Sequence, residues 1–382
     1  MYRNPFSDEE IARRLARVRT EIVAQRLDAA IIASPENVFY LTGLDHWGYF
    51  APHLLIVPQE GEPVLVTRAM ERVSAEKQVR AARFQGHPDT ETAADMAARV
   101  LRDLNLTGRP IGLEYWTQGL SHGLALRLMS LAEARWSDLS GIVDALRLVK
   151  SREEQILMRE AARVTDAAAG AAIGVIGDGA READVAADCM AAMVRAGGHP
   201  PGFGPFIRPG SRLGEEHATW GGGSYKRGEP VFLELSGCVS RYHAPLGRLV
   251  RIGGMGDDDA RMAGIARRAF DAIVAAIKPG TRARNVYAAW QAVVDDAGLS
   301  HYRRHHCGYC VGIGQPPSWT GGNSVMGLRS GSDLAIETGM SFHILSWLMG
   351  TGQGNDFISN TVLLTESGAE ILTRTPSGPI VT

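Results

Sequence analysis

A ten-residue segment occurs twice in this chain, and the repeat restricts the possible folds more than any other feature of the sequence. IGDGAREADV at residues 176–185 recurs 101 positions later as IKPGTRARNV at residues 277–286. Over the 22 positions that end at Gly197 and Gly298, eight are identical. Glycines at both ends of the match are typical of turns around a helix. The fixed offset predicts a duplicated half-domain, in preference to two unrelated amphipathic helices.

Apolar, β-rich runs follow each copy of the repeat after a passage rich in glycine and proline. The first copy precedes residues 230–236 and 247–252, which we predict to form a hairpin with a loop at 237–240. The second copy precedes residues 340–347 and 357–365. Two strand pairs, one from each half, predict one curved antiparallel sheet with the repeated helices behind it.

The residues before the repeat predict a separate α/β domain. Ser7 starts a capping box and a helical pattern that runs to about Gln25, and Ser151 starts a second box and a longer helical pattern. We place the domain boundary just before the second box, with an N-terminal α/β domain at 1–150 and a C-terminal domain at 151–382. The β-rich and helical runs between the boxes lie at residues 29–33, 54–57, 63–67, 91–104 and 111–113.

The composition excludes several classes of protein. The 382 residues include 40 Lys and Arg against 42 Asp and Glu, and a net charge of −2 provides no basic field for nucleic acid or an anionic membrane. Four cysteines cannot form a disulfide framework and indicate a reducing compartment. Residues 1–10 do not resemble a signal peptide, and the longest uncharged stretch, 338–355, is too polar for a membrane span. We expect a cytoplasmic protein.

Glu234 is the side chain that most clearly indicates a functional site. Alternation along its strand places Val231 and Leu233 on one face, and Phe232 with Glu234 on the other. A carboxylate within an apolar strand is costly unless it is paired, for example with Arg248, or functional. We favour a place in a pocket.

Histidine and aromatic side chains occur in the segments around this strand. His217 lies in the preceding loop and His343 in the penultimate strand, and imidazole is suited to acid–base chemistry near neutral pH. Aromatic faces suit a delocalised cation, with Glu234 as its counter-charge, although loop anchoring explains them equally well. The aromatic residues of the glycine-rich passages are Trp47, Tyr49, Trp220, Tyr242, Tyr309, Trp319 and Trp347.

Cys307 and Cys310 form a C-x-x-C motif preceded by His305 and His306. Adjacent His-His-Cys residues rarely converge on one zinc ion, and no second C-x-x-C motif is present. We predict buried, unreactive thiols.

The order of these segments resembles the pita-bread fold of the creatinase/prolidase/methionine aminopeptidase family, over nearly the whole chain. NVFYLTG at residues 37–43 is similar to the family's N-terminal domain, RLVKSREE at 147–154 to its domain junction, and GMSF at 339–342 to its penultimate strand. His217 falls where the family has its substrate-side histidine. The resemblance implies an α+β protein with an N-terminal α/β domain. Its C-terminal pita-bread domain would have duplicated helix-plus-strand halves around a curved antiparallel sheet.

The metallopeptidases of this family bind two metal ions through two Asp, one His and two Glu. Our alignment places Glu234, Pro245, Tyr309, Leu345 and Asn360 at those positions. One carboxylate does not retain a pair of divalent ions, and the other four side chains offer no strong donor. The resemblance therefore implies the family's metal-free branch, with no metal and no cofactor.

Within that branch the chain is most similar to the ectoine hydrolase type. The similar segments are ELSGCVSRYHAPL at 234–246, GYCVGIG at 308–314, PPSW at 316–319 and GMSFH at 339–343. The sequence departs from the type at GNDFISN, residues 354–360, which lacks the usual carboxylate near its end. The resemblance does not identify the substrate among ectoine, hydroxyectoine, creatine and related compounds.

The resemblance implies metal-independent hydrolysis of a C–N bond in a small zwitterion with an amidine-like or guanidino cation. Glu234 would hold the cation or orient the attacking water, and His217 would transfer a proton to the leaving nitrogen. Arg208 or Arg248 would bind the substrate carboxylate. The other predicted substrate-binding residues are Trp47, Tyr49, Trp220, Tyr242, His243, Tyr309 and His343.

Trp47 and Tyr49 resemble residues that close a neighbouring subunit's pocket in the family's dimers, which implies a homodimer. Two other functions stay open. One is a metal-dependent Xaa-Pro dipeptidase with an unrecognised ligand set. The other is a non-catalytic binding protein, because the pita-bread fold is also used without catalysis.

Overall fold

The computed structural model describes residues 4–321 and 325–382, which form two compact units. Residues 4–147 make up the first unit, and residues 148–321 with 325–382 make up the second. The division between Arg147 and Leu148 lies three residues before the boundary placed from the sequence.

The first unit is an α/β domain. Its first helix begins at the predicted position, because the Ser7 hydroxyl accepts a hydrogen bond from the Glu10 amide. The helices are α1 (Asp8–Ala24), α2 (Pro35–Thr42), α3 (Arg72–Gln78), α4 (Ala93–Asp103), α5 (His122–Leu131) and α6 (Ile142–Leu146). The strands are β1 (Ala29–Ile32), β2 (Leu54–Pro58), β3 (Val64–Arg68), β4 (Arg83–His87), β5 (Pro110–Leu113) and β6 (Arg135–Asp138).

These six strands form a mixed sheet in the order β4-β3-β2-β1-β5-β6. The four inner strands are apolar and mostly buried, and they correspond to runs read from the sequence. The two edge strands have the sequences RFQGH and RWSD and are largely exposed or half-buried. Hydrophobic patterning does not detect such strands, because an edge strand buries little apolar surface.

The second unit contains the duplicated halves. Its helices are α7 (Arg152–Val175), α8 (Glu182–Arg195), α9 (Asp257–Ala276) and α10 (Ala283–Asp296). Its strands are β7 (Phe206–Pro209), β8 (Pro230–Val239), β9 (Tyr242–Arg251), β10 (Gly308–Cys310), β11 (Ser341–Leu348), β12 (Asp356–Thr365), β13 (Gly368–Ile371) and β14 (Ile380–Val381). The main strand order, β10-β11-β12-β9-β8-β7, has three antiparallel strands from each half, which meet where β9 pairs with β12.

The predicted duplication is confirmed. Helices α8 and α10 each span 14 residues and start 101 positions apart. Gly179 and Gly280 have the same left-handed backbone, with φ of 79° and 82°. Each donates its amide to a later loop of its own half, Gly179 to the carbonyl of Tyr225 and Gly280 to that of Ile336. The two halves therefore repeat helix ends and turns as well as helices.

The β8–β9 hairpin is longer than the sequence predicted. The strands continue to Val239 and restart at Tyr242, so the turn consists of Ser240 and Arg241, both with positive φ. Gly237 lies within β8, not in a loop. A Cβ at this position would lie 2.6 Å from the backbone of Ala161 and of Thr165 on α7, so close packing of the helix requires this glycine.

The sheet of the second unit has two different faces. Val231, Leu233 and Leu235 of β8 pack against α7 and α8, and the corresponding face of β11 packs against α9 and α10. The opposite face carries an aromatic cluster that includes Phe232 and Trp347. Glu234 belongs to this aromatic face, as the alternation predicted.

The matched glycines give a stability test of the duplication. We expect Gly179→Ala and Gly280→Ala each to lower the free energy of unfolding by about 1–2 kcal/mol, because an L residue is strained at positive φ even where space is open. Gly177→Ala is the control, since that glycine also has open space but no positive φ. Urea denaturation measures all three variants, and a clearly unequal cost at the two matched positions would contradict structural equivalence of the turns.

Candidate active site

One row of residues crosses five strands on the aromatic face of the second unit. Strand register places Phe206, Glu234, Gly247, Ser359 and Leu345 side by side, in that order. We call these five residues the Glu234 row. Phe206, Glu234 and Leu345 line a pocket of about 550 Å³, a volume suited to a small molecule.

The pocket combines an aromatic interior with charged and imidazole side chains. Its aromatic residues are Phe203, Phe206, Tyr309, Trp319 and Trp347. Its titratable residues besides Glu234 and Tyr309 are Glu216, His217, Arg304, His305, His306 and Arg329. Of the site residues predicted from the sequence, Glu234, His217 and Tyr309 thus line one pocket.

Glu234 is a buried acid with few polar groups near its carboxyl group. Its side chain is 10% exposed, and within the described residues its carboxyl group has no hydrogen bond. The nearest basic atom is Nε2 of His343, 3.9 Å from Oε1. Burial raises the pKa of Glu234 to about 8, against a smaller opposing effect of the Arg208 charge. Glu234 is therefore mostly protonated at neutral pH.

A chain of hydrogen bonds runs below the pocket. The Trp319 indole N–H donates to the Tyr309 hydroxyl at 3.0 Å, and this hydroxyl lies 2.8 Å from Nδ1 of His343. Nε2 of His343 lies 2.7 Å from the hydroxyl of Ser359. Burial lowers the pKa of His343 to about 3, so the imidazole is neutral and its contact with Glu234 is not an ion pair. The chain holds Tyr309 rigidly beside Glu234.

His217 is carried by a loop that two arginines hold. Arg208 donates to the carbonyls of Arg212, Leu213 and Ala218 on this loop. From the second half of the duplication, Arg304 forms an ion pair with Glu216, with 2.9 Å between Nη1 and Oε1. Both halves thus contribute to placing the candidate acid–base group.

The site does not fit a two-metal centre. Asn360 was assigned wrongly to the fifth ligand position: its amide donates to Thr373, and it alternates on β12 with Ser359, which joins the pocket-side row. The five positions therefore hold Glu234, Pro245, Tyr309, Leu345 and Ser359, with one carboxylate and no imidazole among them. Within residues 4–321 and 325–382, no group of three or more His, Cys, Asp or Glu side chains is arranged to hold a metal ion.

The two arginines predicted to bind a substrate carboxylate have other contacts. Arg208 is fully buried, stacks 3.9 Å from the Phe232 ring centroid and uses all three nitrogens for loop carbonyls. Arg248 donates to the carbonyls of Gly247, Ser359, Thr375 and Pro376. Neither arginine lines the pocket. The structure therefore corrects the predicted binding of a substrate carboxylate: both guanidinium groups donate hydrogen bonds to backbone carbonyls.

Three more predicted substrate contacts lie outside the pocket. The Tyr242 hydroxyl donates to Glu154 at 2.8 Å. His243 is fully buried; its Nε2 accepts the Gly202 amide and its Nδ1 bonds the Arg241 carbonyl. Trp220 packs against the core of the first half. Their polar atoms and rings stabilise the fold, which corrects the predicted substrate role of all three.

Trp47 and Tyr49 belong to the first unit, on a short 3-10 helix, Trp47–Phe50. Their rings stack with 6.2 Å between centroids, and Trp47 is 54% exposed. The predicted role at a neighbouring subunit's pocket stays a prediction.

Several pocket residues were not recognised from the sequence as site residues. Arg304 and Arg329 carried no local signal, because they lie in segments without a motif. Ser359, in the Glu234 row, was passed over in favour of its neighbour Asn360. His305 and His306 were considered only as zinc ligands. Trp319 was noted as an aromatic residue, and only the packing of its ring against Phe203 and Phe206 places it at the pocket.

The four cysteines are free and buried. Burial raises the pKa of Cys310 to about 11 and that of Cys307 still further, which confirms the prediction of unreactive thiols. None of the described helices has the length and apolar character needed to span a bilayer.

Comparison with known proteins identifies both units. Residues 156–366 match the family described as metallopeptidase family M24, and residues 14–149 match the creatinase/prolidase N-terminal domain. The described fold agrees with both matches.

Individual relatives have different activities. The chain is 28% identical to the ectoine hydrolase of Halomonas elongata, over 97% of each protein. It is 24% identical to the Xaa-Pro dipeptidase of Pyrococcus furiosus, over 91% of this chain and 94% of the relative. The solved structure of a Xaa-Pro dipeptidase from Bacillus anthracis has a TM-score of 0.86 at 21% identity, covering 97% of this chain and all of the other. The last similarity concerns the fold alone.

The burial of Glu234 predicts a pH-dependent difference in stability between the wild type and the Glu234→Gln variant. The folded-state pKa of Glu234, about 8, exceeds its ordinary value of 4.5, so stability from this group is complete below pH 4.5 and is lost as the pH rises from 4.5 to about 8. Glu234→Gln mimics the protonated acid. We expect equal unfolding free energies of wild type and variant near pH 5, and a variant more stable by more than about 1 kcal/mol at pH 9.

Glu216→Gln is the matched control. Desolvation acts to raise the pKa of Glu216, but its hydrogen bond and ion pair with Arg304 outweigh this and lower it. This variant should therefore be less stable than wild type at pH 9, whereas Glu234→Gln should be more stable. Urea denaturation at the two pH values measures both, and parallel pH profiles of wild type and Glu234→Gln would contradict the assignment.

Proposed function

This chain belongs to metallopeptidase family M24, a family of hydrolases, and we propose that it hydrolyses a C–N bond in a small zwitterionic compound without a metal ion. The cation of this compound is an amidine or a guanidine. Ectoine-like cyclic amidines are the first class to test, because the ectoine hydrolase of Halomonas elongata is similar over almost the whole chain. Creatine-like guanidines are the second.

The observation that carries the proposal is the chemistry of the Glu234 row. The positions that would hold a metal pair contain one carboxylate, a serine and a leucine, surrounded by aromatic rings. A lone buried acid among aromatic faces is poorly suited to bind two divalent ions. It is well suited to a delocalised organic cation, which loses little solvation energy and interacts with the rings.

The proposed reaction uses Glu234 and His217, which line the same pocket. An arriving amidinium favours the ionised form of Glu234, which then holds the cation by charge-assisted hydrogen bonds. His217 takes a proton from water as the water oxygen bonds to the electrophilic amidine carbon. It returns this proton to the leaving nitrogen as the C–N bond breaks, and the hydroxyl proton of the adduct passes to solvent as the carbonyl forms. Tyr309, fixed by Trp319 and His343, donates or accepts a hydrogen bond where charge develops.

Two other functions make different predictions. The Xaa-Pro dipeptidase of Pyrococcus furiosus, a relative in sequence, favours a peptidase, which would need a divalent metal supplied by ligands outside the Glu234 row. A non-catalytic binding protein would retain small zwitterions in the same pocket with no turnover.

Turnover with matched variants separates these functions. We expect wild-type protein dialysed against a chelator to hydrolyse ectoine or creatine at an undiminished rate. Glu234→Gln and His217→Ala should each lower kcat by about 100-fold or more, because each removes a group that acts on the reacting atoms. Product formation is measured by liquid chromatography, and metal content by elemental analysis.

His199→Ala is the control for loss of an imidazole, since His199 bonds the hairpin backbone and does not line the pocket. It should retain activity. Hydrolysis of Pro-dipeptides alone, restored by added divalent metal after chelation, would contradict the proposal in favour of a dipeptidase. Binding of ectoine or creatine with no product would favour the binding protein.

We also propose that the protein is a homodimer, on the resemblance of Trp47 and Tyr49 to the family's intersubunit residues. Light scattering after size-exclusion chromatography should give twice the 41.2 kDa chain mass. Trp47→Ala should lower turnover without changing the far-ultraviolet circular dichroism. A monomeric mass at micromolar concentration would contradict the dimer.

A further inference from the structure

Arg304 has donor groups that the reaction described above does not use. Its side chain is 17% exposed and lines the pocket, with the guanidinium carbon 4.6 Å from the ring centroid of Trp347. Nη1 donates to Glu216. Nε is buried and has no hydrogen-bond partner among the described residues. A buried unpartnered N–H is costly, so a ligand that accepts from it would be favoured.

The geometry of the guanidinium determines which ligand fits. Nε–H and one N–H of Nη2 point in parallel from the same edge of the planar group, and this fork matches the two oxygens of a carboxylate. Nη1 lies outside that edge and is the atom bound by Glu216. Within the described residues, no hydrogen bond of Nη2 competes for the edge. The ion pair and the Trp347 ring therefore fix the guanidinium, while its Nε–Nη2 edge has no hydrogen-bond partner among the described residues.

The surrounding charges favour an anion at this edge. Glu216 is already paired with Arg304, and Glu234 is mostly protonated at neutral pH for the reason given above. Arg329 also lines the pocket and forms no ion pair with a described residue. Burial lowers the pKa of His306 to about 3, so this residue adds no charge. The pocket thus has an excess of positive charge at its arginine side, which an anionic substrate group would balance.

We propose that Arg304 binds the carboxylate of the substrate through its Nε–Nη2 edge and thereby selects zwitterions over neutral analogues. The proposal rests on the proposed function, and it gives Arg304 the role that sequence analysis assigned to Arg208 or Arg248. The pocket then has two ends. Glu234 holds the cationic group among the aromatic rings, and Arg304 holds the carboxylate, so the C–N bond is oriented between them.

Acid and amide pairs of probes test this specificity directly. Isothermal titration calorimetry compares ectoine with its carboxamide, and Gly-Pro with Gly-prolinamide. We expect wild type to bind the acid of a pair about 10- to 100-fold more tightly, as expected for charge-assisted hydrogen bonds. Arg304→Gln should reduce the preference to about 3-fold or less while leaving the affinity for the amide nearly unchanged, which also shows that the variant is folded. Arg304→Lys keeps a charge without the fork and should give an intermediate preference.

Two matched controls separate recognition from positioning. Arg303→Gln removes the neighbouring charge, which pairs with Asp295, and should keep the full acid preference. Glu216→Gln removes the ion pair that holds Arg304 and the His217 loop but leaves the Nε–Nη2 edge, so acid preference should persist even if turnover falls. Loss of the preference in Glu216→Gln equal to that in Arg304→Gln would overturn the direct contact.

The outcomes distinguish the two proposals. If only the dipeptide pair binds and Arg304→Gln removes its acid preference, the carboxylate site stands and the amidine function fails. If ectoine binds but the preference is absent in wild type or survives in Arg304→Gln, the carboxylate site is wrong and the function stands. No binding of any probe at 10 mM, on the order of the weakest specific affinities, would overturn both.

Discussion

The pairing of β9 with β12 is the interaction on which the site depends, because it joins the two halves of the duplication into one sheet. At this seam Gly247 faces Ser359 on one side and Glu234 on the other. A Cβ on Gly247 would lie 2.1 Å from the ring of Phe357, so the strands can approach only where the side chain is absent. The ring of Phe357 and the hydroxyl of Ser359 fill the space that a side chain at position 247 would need. The pairing of β9 with β12, which requires glycine at position 247, thus brings Glu234 of the first half close to Ser359 of the second half.

Desolvation determines what that acid can do. Phe206 lies beside Glu234 in the row, and Phe232 and Trp347 belong to the same aromatic cluster. A carboxyl group in such surroundings prefers its neutral form. The prolidase-like relatives share the sheet, but Pro245, Leu345 and Ser359 here replace the donors that two metal ions require. Under the proposed function, the same backbone supports a different chemistry, in which the substrate cation supplies the charge that stabilises an ionised Glu234.

Much of the fold could be predicted from the sequence, and the physical reason differs from one secondary-structure element to another. The repeat was recognisable because its turns need glycine at positive φ, and the inner strands because they are buried on both faces. Strands β4 and β6 were missed because edge strands need no apolar pattern. Gly237 was misread as a loop residue, since a glycine required by helix packing looks the same in sequence as one required by a turn.

The candidate site was only partly predictable. Alternation placed Glu234 on the correct face, but a one-residue error put Asn360 in place of Ser359, and in a strand one residue changes the face. Arg208 and Arg248 were plausible ligands by residue type alone. The structure shows that Arg208 binds carbonyls of the loop that follows it, and that Arg248 binds carbonyls 111 to 128 residues away. Arg304 is held at the pocket by Glu216, which lies 88 residues before it in the chain.

By itself, the sequence determined the duplicated architecture, the isolated carboxylate in an apolar strand and the unsuitable donors at the metal positions, because these follow from local backbone demands and residue chemistry. Tertiary structure decided which arginine reaches the pocket, which histidines and tyrosines belong to the core, and how strongly Glu234 is desolvated. Those properties depend on burial and on hydrogen bonds between distant segments, which no local pattern of residues encodes.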